Sequence, residues 1–538
     1  MWYLLLANTT FAYSRADSLR GGNGNGRNWW DVQKYELNIT FDTATRSISG
    51  TNLLFVKKRG DYDSLQIDLQ EPMMIDSVIC RGRKVEFVRE GNVYWLLKPF
   101  VNRNPRVTEQ FASYDAFVVY FHGRPREAVK PPWDGGVIWG RDSMGNAWHS
   151  VACQGLGASV WWPCKDQQSD EPDQGMNITL NAPAKFTVVS NGRLLTGPKE
   201  EANDTRTWTW SVKNPINSYD VSFYLGDYIH WQDTFAGEKG TLDLSFYALS
   251  YNREKAEKHF AVTKEMLRCF EHWMGPYPFY EDGYKLVEAP FLGMEHQSAI
   301  AYGNLYQMGY MGRDRSKTGV GMSFDFIIIH ESGHEWYGNN ITAADIADNW
   351  IHEGFTTYSE TLFAGWILDK ASAYRYVKGE RENILNNIPV VAPYGVHGHG
   401  SGDMYDKGAN LVHMIRVLMN DDEKFRSMLR DMNKNYYHAI VTGAGIEEFI
   451  INYTGLRLEP LFNQYLRTTQ VPELEYHIKN GQLHYRFNHA VEGFSLPLVA
   501  TAGKVQQTIT VTPKWQSVKW PHGYNITFSD DFYYFVKQ

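Results

Sequence analysis

The sequence predicts a multidomain α+β protein: an N-terminal β-domain, a mostly helical middle and a small C-terminal β-sandwich. Three observations predict it. Apolar residues alternate with polar ones from Tyr35 onward, the period lengthens to that of a helix near Asn252, and alternation returns after Pro472.

The first region opens with Tyr35, Leu37, Ile39 and Phe41 on one face of a strand. Further β-branched and aromatic runs separated by turn residues continue to about Tyr228. The second region begins with Ala256, Phe260, Leu267, Phe270 and Trp273 at helical spacing, until Gly275-Pro276 ends the helix. Stretches 408–419 and 423–432 are further amphipathic helices by the same criterion. In the third region Leu474, Tyr476 and Ile478 precede Asn480-Gly481, and Leu483, Tyr485 and Phe487 follow, which is a hairpin signal. The expected organisation is 1–28 as a signal-like start and Gly/Asn-rich linker, 29–245 as the β-domain, 246–470 as the helical domain and 471–538 as the sandwich.

A chain of 538 residues, 43% of them hydrophobic, can build several cores. The net charge of -8 is mild, and basic clusters such as Lys57-Lys58-Arg59 are short, which argues against a nucleic-acid partner. No apolar run reaches the roughly eighteen residues of a membrane helix, so no membrane span is expected. The run Trp2 to Ala7, with Phe11-Ala12 behind it, is similar to the tail of a secretory signal without its basic start. It leaves export (periplasmic or secreted) and a cytoplasmic location both open. The four cysteines, Cys80, Cys153, Cys164 and Cys269, form no Cys-x-x-Cys pair. Cys153 and Cys164 are left either bridged or as buried free thiols.

The chemistry is carried by His330-Glu331-Ser332-Gly333-His334 and by Glu353 downstream in Asn349-Trp350-Ile351-His352-Glu353-Gly354-Phe355. On a helix, residues four apart share a face, so the imidazoles of His330 and His334 converge while Glu331 points elsewhere. Two histidines and one carboxylate are a known catalytic set for one zinc ion, with a position left for water. His330, His334 and Glu353 are therefore the expected metal ligands, and Glu331 the expected general base. The preceding run Phe324 to Ile329 is apolar enough to carry the motif helix into a core.

Extended to His330–Asn339 and Trp350–Phe355, the motif resembles peptidase family M1, the zinc aminopeptidases of the gluzincin type. Gly293-Met294-Glu295-His296-Gln297 is similar to that family's Gly-x-Met-Glu-Asn exopeptidase motif, and Met404-Tyr405-Asp406-Lys407-Gly408 to the segment of its catalytic tyrosine. Gln154, ahead of Pro163-Cys164-Lys165-Asp166 and Asp170-Glu171-Pro172, is similar to the family's N-terminal β-domain.

The resemblance implies a saddle-like β-domain, a thermolysin-like catalytic domain and a β-sandwich. It implies hydrolysis of the N-terminal peptide bond of peptides with free amino termini. Glu295, with Gly293 and Met294, would then bind the substrate amine, Gln154 would hold the first residue, and Tyr405 would donate to the oxyanion. His296 stands where the family has asparagine, Leu292 where the motif opens with glycine, and Ser332-Gly333 where aliphatic residue and alanine are commoner. Residues after Gln470 are too few for the large helical domain of many members, so a shorter member with a more open cleft is expected.

Three alternatives remain at this stage: a zinc endopeptidase, a narrow dipeptidase, or a catalytically decayed peptide-binding protein. Glu360 is either a partner of a zinc ligand or a solvated helix carboxylate. His397 and His399 are expected to line a loop near the cleft rather than hold a second metal. The preferred first residue and the oligomeric state are not legible.

Overall fold

A computed structural model describes residues 13–60, 62–100, 114–520 and 525–537. The signal-like run Trp2 to Ala7 lies outside them.

The long strands Trp30–Asp42 and Ser47–Lys58 pair antiparallel with Tyr35 opposite Leu54, and they centre an eight-stranded sheet. Tyr35, Leu37 and Ile39, the alternating apolar set, are all buried. This sheet packs on a four-stranded sheet made of Gly136–Arg141, Ala147–Ala152, Thr187–Ser190 and Phe223–Gly226. Phe41 and Phe223 meet between the layers with ring centroids 4.6 Å apart, and Trp161 and Trp162 fill the same core.

A five-stranded sheet follows, in the spatial order Tyr228–Gly237, Gly240–Leu249, Tyr284–Glu288, Ile300–Tyr302, Gly293–Met294. The parallel pairing of Leu244 with Tyr284 ties the hairpin 228–249 to the sheet of the helical region. The expected boundary near 245 therefore falls inside one hydrogen-bonded unit. Alternation marks a strand, but it does not say which sheet takes it.

Helices Arg253–Phe260 and Thr263–Met274 divide what the spacing predicted as one helix, and Gly275 at φ +94° ends the second. Two helices cross at the centre of the region, Trp350–Ile367 and Asp406–Met419. A Cβ on Gly354 would lie 3.1 Å from the Cα of Gly408, so two glycines permit the approach.

Residues 473–537 form a four-stranded and a three-stranded sheet. The predicted hairpin pairs Glu473–Lys479 with Gln482–Asn488, and Asn480 and Gly481 both take positive φ as a two-residue turn requires. Leu474, Phe487 and Leu498 share one core with the helices of the middle region.

The N-terminal segment departs from the expected linker. Arg15–Gly21 is a helix, capped by reciprocal bonds between Ser14 and Asp17. Arg27 is fully buried and pairs with Asp68 at 2.6 Å. All four cysteines are buried and free, so Cys153 and Cys164 form no disulfide.

Candidate metal centre and cleft

Asp325 caps the helix Phe326–Gly333 by accepting from the amides of Ile327 and Ile328, which sets where the motif begins. His334 follows the last helical residue but keeps helical dihedrals, so it stays on the face of His330. The two uncommon residues between the histidines have contacts that explain them. Ser332 Oγ lies 2.8 Å from the Tyr284 hydroxyl. A Cβ on Gly333 would lie 2.6 Å from Ser359 Oγ, so glycine lets the motif helix sit close against Trp350–Ile367.

That second helix brings Glu353 to the histidines. His330 Nε2 and His334 Nε2 are 3.3 Å apart, and Glu353 Oε2 lies 3.5 and 3.3 Å from them. Ligands at about 2.0–2.1 Å from a tetrahedral ion are separated by about 3.3–3.4 Å, so the triangle has the size of a zinc site. The outer ring nitrogens fix the tautomers. His330 Nδ1 bonds Glu360 Oε1 at 2.7 Å, and His334 Nδ1 bonds the carbonyl of Tyr337 at 3.0 Å, which turns both Nε2 lone pairs inward. Glu353 Oε2 meets them with no hydrogen-bond donor of its own.

Three inward acceptors with no donor among them call for a cation. Electrostatics agree: burial opposes charge on His330, yet Glu353 and Glu360 hold its pKa well above the ordinary value, and His334 is raised against burial by Glu353 and Glu295. The donor set therefore fits a divalent metal. Among the described residues two clusters bring potential ligand atoms within 4.8 Å of one another, and both are here: His330, His334 and Glu353, and Glu295, Glu331 and His334. His397 and His399 belong to neither.

Glu331 is 8% exposed and lines a cleft of about 430 Å³ with the other candidate residues. Burial pushes its carboxyl up to about 7, against the pull of His330 and His334. Gly293 lies against it on an edge strand, where a Cβ would be 2.7 Å from Glu331 Oε1; Met294 follows on the same strand. The strand thus delivers Glu295 into the cleft.

Gln154, from the β-domain, joins the two carboxylates: its Nε2 donates to Glu295 Oε1 at 2.5 Å and lies 3.2 Å from Glu353 Oε1. Asn339 holds the backbone carbonyl of Glu295 at 2.9 Å. His296 turns away from the cleft. It is fully buried, with Nδ1 2.6 Å from the Tyr224 hydroxyl. Tyr405 stacks on His330 with ring centroids 5.9 Å apart, and burial followed by Glu353 and Glu295 holds its hydroxyl protonated.

Sequence reasoning left Glu360 undecided, and the structure buries it against His330 with Tyr376 donating to its second oxygen at 2.5 Å. It missed Arg315, which holds Asp406 with two bonds of 2.8 and 3.0 Å beside Tyr405 and carries no motif of its own. It also missed Trp133, 69% exposed at the cleft. His399 does line the cleft, and His397 Nε2 bonds the carbonyl of Gly155 at 2.6 Å. No helix among the described residues is long and apolar enough to cross a membrane.

Residues 259–465 match the description "Peptidase family M1 domain". Aminopeptidase B of Mus musculus is 25% identical over 311 residues, 55% of this chain and 44% of its own length. Tricorn protease-interacting factor F2 of Thermoplasma acidophilum is 18% identical over 497 residues, 90% of this chain and 58% of its own. The chain thus spans about half the length of these curated relatives. In fold it is similar to the M1 zinc metallopeptidase of Deinococcus radiodurans, with a TM-score of 0.67 and 21% identity over 83% of this chain and 95% of the other. A second structure of that protein, a variant bound to a Tyr-Ser-Ala substrate, matches with a TM-score of 0.66 and 20% identity over 83% and 96%. Residues 259–465, which carry the histidine–carboxylate site, are thus similar to the peptidase family M1 domain, and the fold around them is similar to that of an M1 zinc metallopeptidase.

Proposed function

We propose that the protein is a zinc-dependent aminopeptidase that removes the first residue of peptides with a free amino terminus. The observation that carries this reading is the placement of Glu295. A buried carboxylate, joined through Gln154 to the donor triad, stands where an extended chain reaching the triad would present its terminal ammonium. A buried carboxylate without a cationic partner is costly, so the site selects a cation there.

His330, His334 and Glu353 would hold one zinc ion, which supplies Lewis-acid polarisation of the scissile carbonyl and acidifies a water. Glu331 takes the proton of the attacking water and returns it to the departing amine. Its burial favours that shuttle, because it brings the carboxyl closer to the acidity of a group that exchanges protons near neutrality. The Tyr405 hydroxyl donates a hydrogen bond to the oxyanion that develops on the carbonyl, and stacking on His330 fixes its ring. Gln154 holds the first residue between Glu295 and Glu353. Residues 29–245, 246–470 and 471–538 would act as β-domain, peptidase domain and sandwich, with the hairpin 228–249 exchanged to the second. Zinc and a peptide substrate are named for the Deinococcus radiodurans protein, which supports the same choice here.

The deciding assay sets aminoacyl chromogenic substrates against their N-acetylated forms, each with and without a chelator. Chelator-sensitive cleavage of the free-amine set alone is expected. Cleavage of the acetylated set at comparable kcat/KM would make the protein an endopeptidase, and silence on both sets in the zinc-loaded protein would overturn the hydrolase reading.

A further inference from the structure

A second cavity, of about 520 Å³, opens in the N-terminal β-domain and shares no lining residue with the cleft. That volume lies within the roughly 300–1,000 Å³ of small-molecule sites. Its floor is set by strand register. His149 pairs across the four-stranded sheet with Trp139 on one side and Leu225 on the other, and paired residues share a face. Phe223, two residues before Leu225, packs on Phe41 of the opposite sheet, so this face looks into the sandwich. His149 and Trp139 thus lie at an open end between the sheets, where His149 packs edge-on against Trp139 and tilted against Phe186, with centroids 5.1 and 5.7 Å away.

A histidine is a poor choice for an apolar floor unless something bonds it. His149 is 5% exposed, with the backbone of Trp148 set against its ring, and the indole nitrogen of Trp139 has no hydrogen-bond partner. Three cations ring the mouth: Arg46, Arg141 and Lys185. Burial first, and then Lys185, Arg46 and Arg141, hold the imidazole down to about 4, so all three cations act on one point. Arg46 is shared with Glu127 at 2.9 Å. Arg141 bonds only the carbonyl of Gly145, and neither it nor Lys185 has an acidic partner among the described residues. Asp227, the acid of the lining, accepts from Ser250 Oγ. The lining thus carries an excess of positive charge in a chain of net charge -8.

We propose that this cavity is a binding site for a small oxyanion, a phosphate or carboxylate borne on a flat apolar body. The acidic group meets Arg141 and Lys185 at the rim, and the flat body lies on Trp139, His149 and Phe186. The site does not depend on the proposed peptidase activity.

The test is calorimetric titration of the zinc-loaded protein with phenyl phosphate, benzoate, inorganic phosphate and, as neutral control, phenol. Phenyl phosphate or benzoate is expected to bind saturably and more tightly than phenol or inorganic phosphate, and to weaken as salt rises. The exposed double variant Arg141→Gln/Lys185→Gln should weaken it at least tenfold while aminopeptidase rates stay unchanged. His149→Phe, which keeps an aromatic floor, should bind within threefold of the parent without lowering the melting temperature. Absence of saturable binding, equal binding of phenol, or binding undiminished in the double variant would each overturn the proposal. The last result, with competitive inhibition of hydrolysis, would move the anion to the metal centre.

Discussion

Replacing Glu360 by glutamine should weaken zinc binding without weakening the fold. The carboxylate is fully buried, takes the His330 Nδ1 proton at 2.7 Å and the Tyr376 hydroxyl at 2.5 Å. In Glu360→Gln the amide oxygen must face His330, since its nitrogen cannot accept, and a charge-assisted bond becomes a neutral one. Such bonds are worth about 1.5–3 kcal/mol and about 0.5–1.5 kcal/mol respectively, a difference near 1–1.5 kcal/mol or about 5–15-fold. Loss of carboxylate support also makes the imidazole a poorer ligand, and partners of this kind typically carry about 10–100-fold in metal affinity. The apo protein loses the attraction of Glu360 for His330 but also a repulsion, since buried Glu380 is pushed well up by burial and then by Glu360 and Asp406. Competition against a chromophoric chelator should therefore show the zinc Kd rising about 10–100-fold. The apo melting temperature should change little, because the two effects oppose one another. A Kd within twofold of the parent would refute the role assigned to Glu360, and a Kd rise matched by a falling apo melting temperature would reduce it to packing.

Glu331→Gln should lower kcat by about 10²–10⁴-fold with zinc retained, measured as turnover and metal content on the same sample; activity near the parent level would remove Glu331 as the base. Glu295→Gln removes one partner of a buried charge pair with the substrate amine, an effect of about 2–5 kcal/mol, so kcat/KM for free-amine substrates should fall about 30-fold or more. Zinc content should be unchanged, and a kcat/KM within twofold of the parent would show that Glu295 does not read the amine. Gly21→Ala places a Cβ 2.1 Å from the carbonyl carbon of Val396, so the N-terminal helix and the 395–400 loop must part. A cost of about 1–3 kcal/mol is expected, seen as a lower melting temperature with a raised KM, because that loop carries His399 into the cleft. An unchanged melting temperature would refute the close contact.

The metal centre was the most legible part of the chain, because the spacing of His330 and His334 encodes one helix face whatever the surroundings. Strands and helices were legible by period, and the order β, α, β follows from that alone. What period does not carry is partnership. The hairpin 228–249 alternates like its predecessors but joins the sheet of Tyr284–Glu288. Glu360 could face His330 or water until the crossing of two helices was known. Gly333, Gly354 and Gly408 look like weak points in helices and turn out to be where backbones approach. The helix Arg15–Gly21 hid behind a glycine- and asparagine-rich neighbour, although Ser14 and Asp17 stand at capping-box spacing. The basic cavity was invisible, since its lining comes from segments far apart in sequence.

Under the proposed function, the arrangement would separate hydrolysis from the choice of substrate end. The residues proposed as proton shuttle and metal ligands sit on two packed helices whose positions are set by glycine contacts and by the outer bonds of His330 and His334. The amine end of the cleft is composite: Glu295 comes from an edge strand, Gln154 and Gly155 from the β-domain, and His399 from a loop tied to the N-terminal helix through the bond of the His397 amide to the Asp17 carbonyl at 2.9 Å. A displacement of the β-domain would therefore leave the metal triangle intact while breaking the bridge from Gln154 to Glu295 and Glu353. Changes at this domain junction should act on discrimination between free and blocked amines before they act on zinc, which places the evolution of specificity in a part of the chain that holds no ligand of the metal.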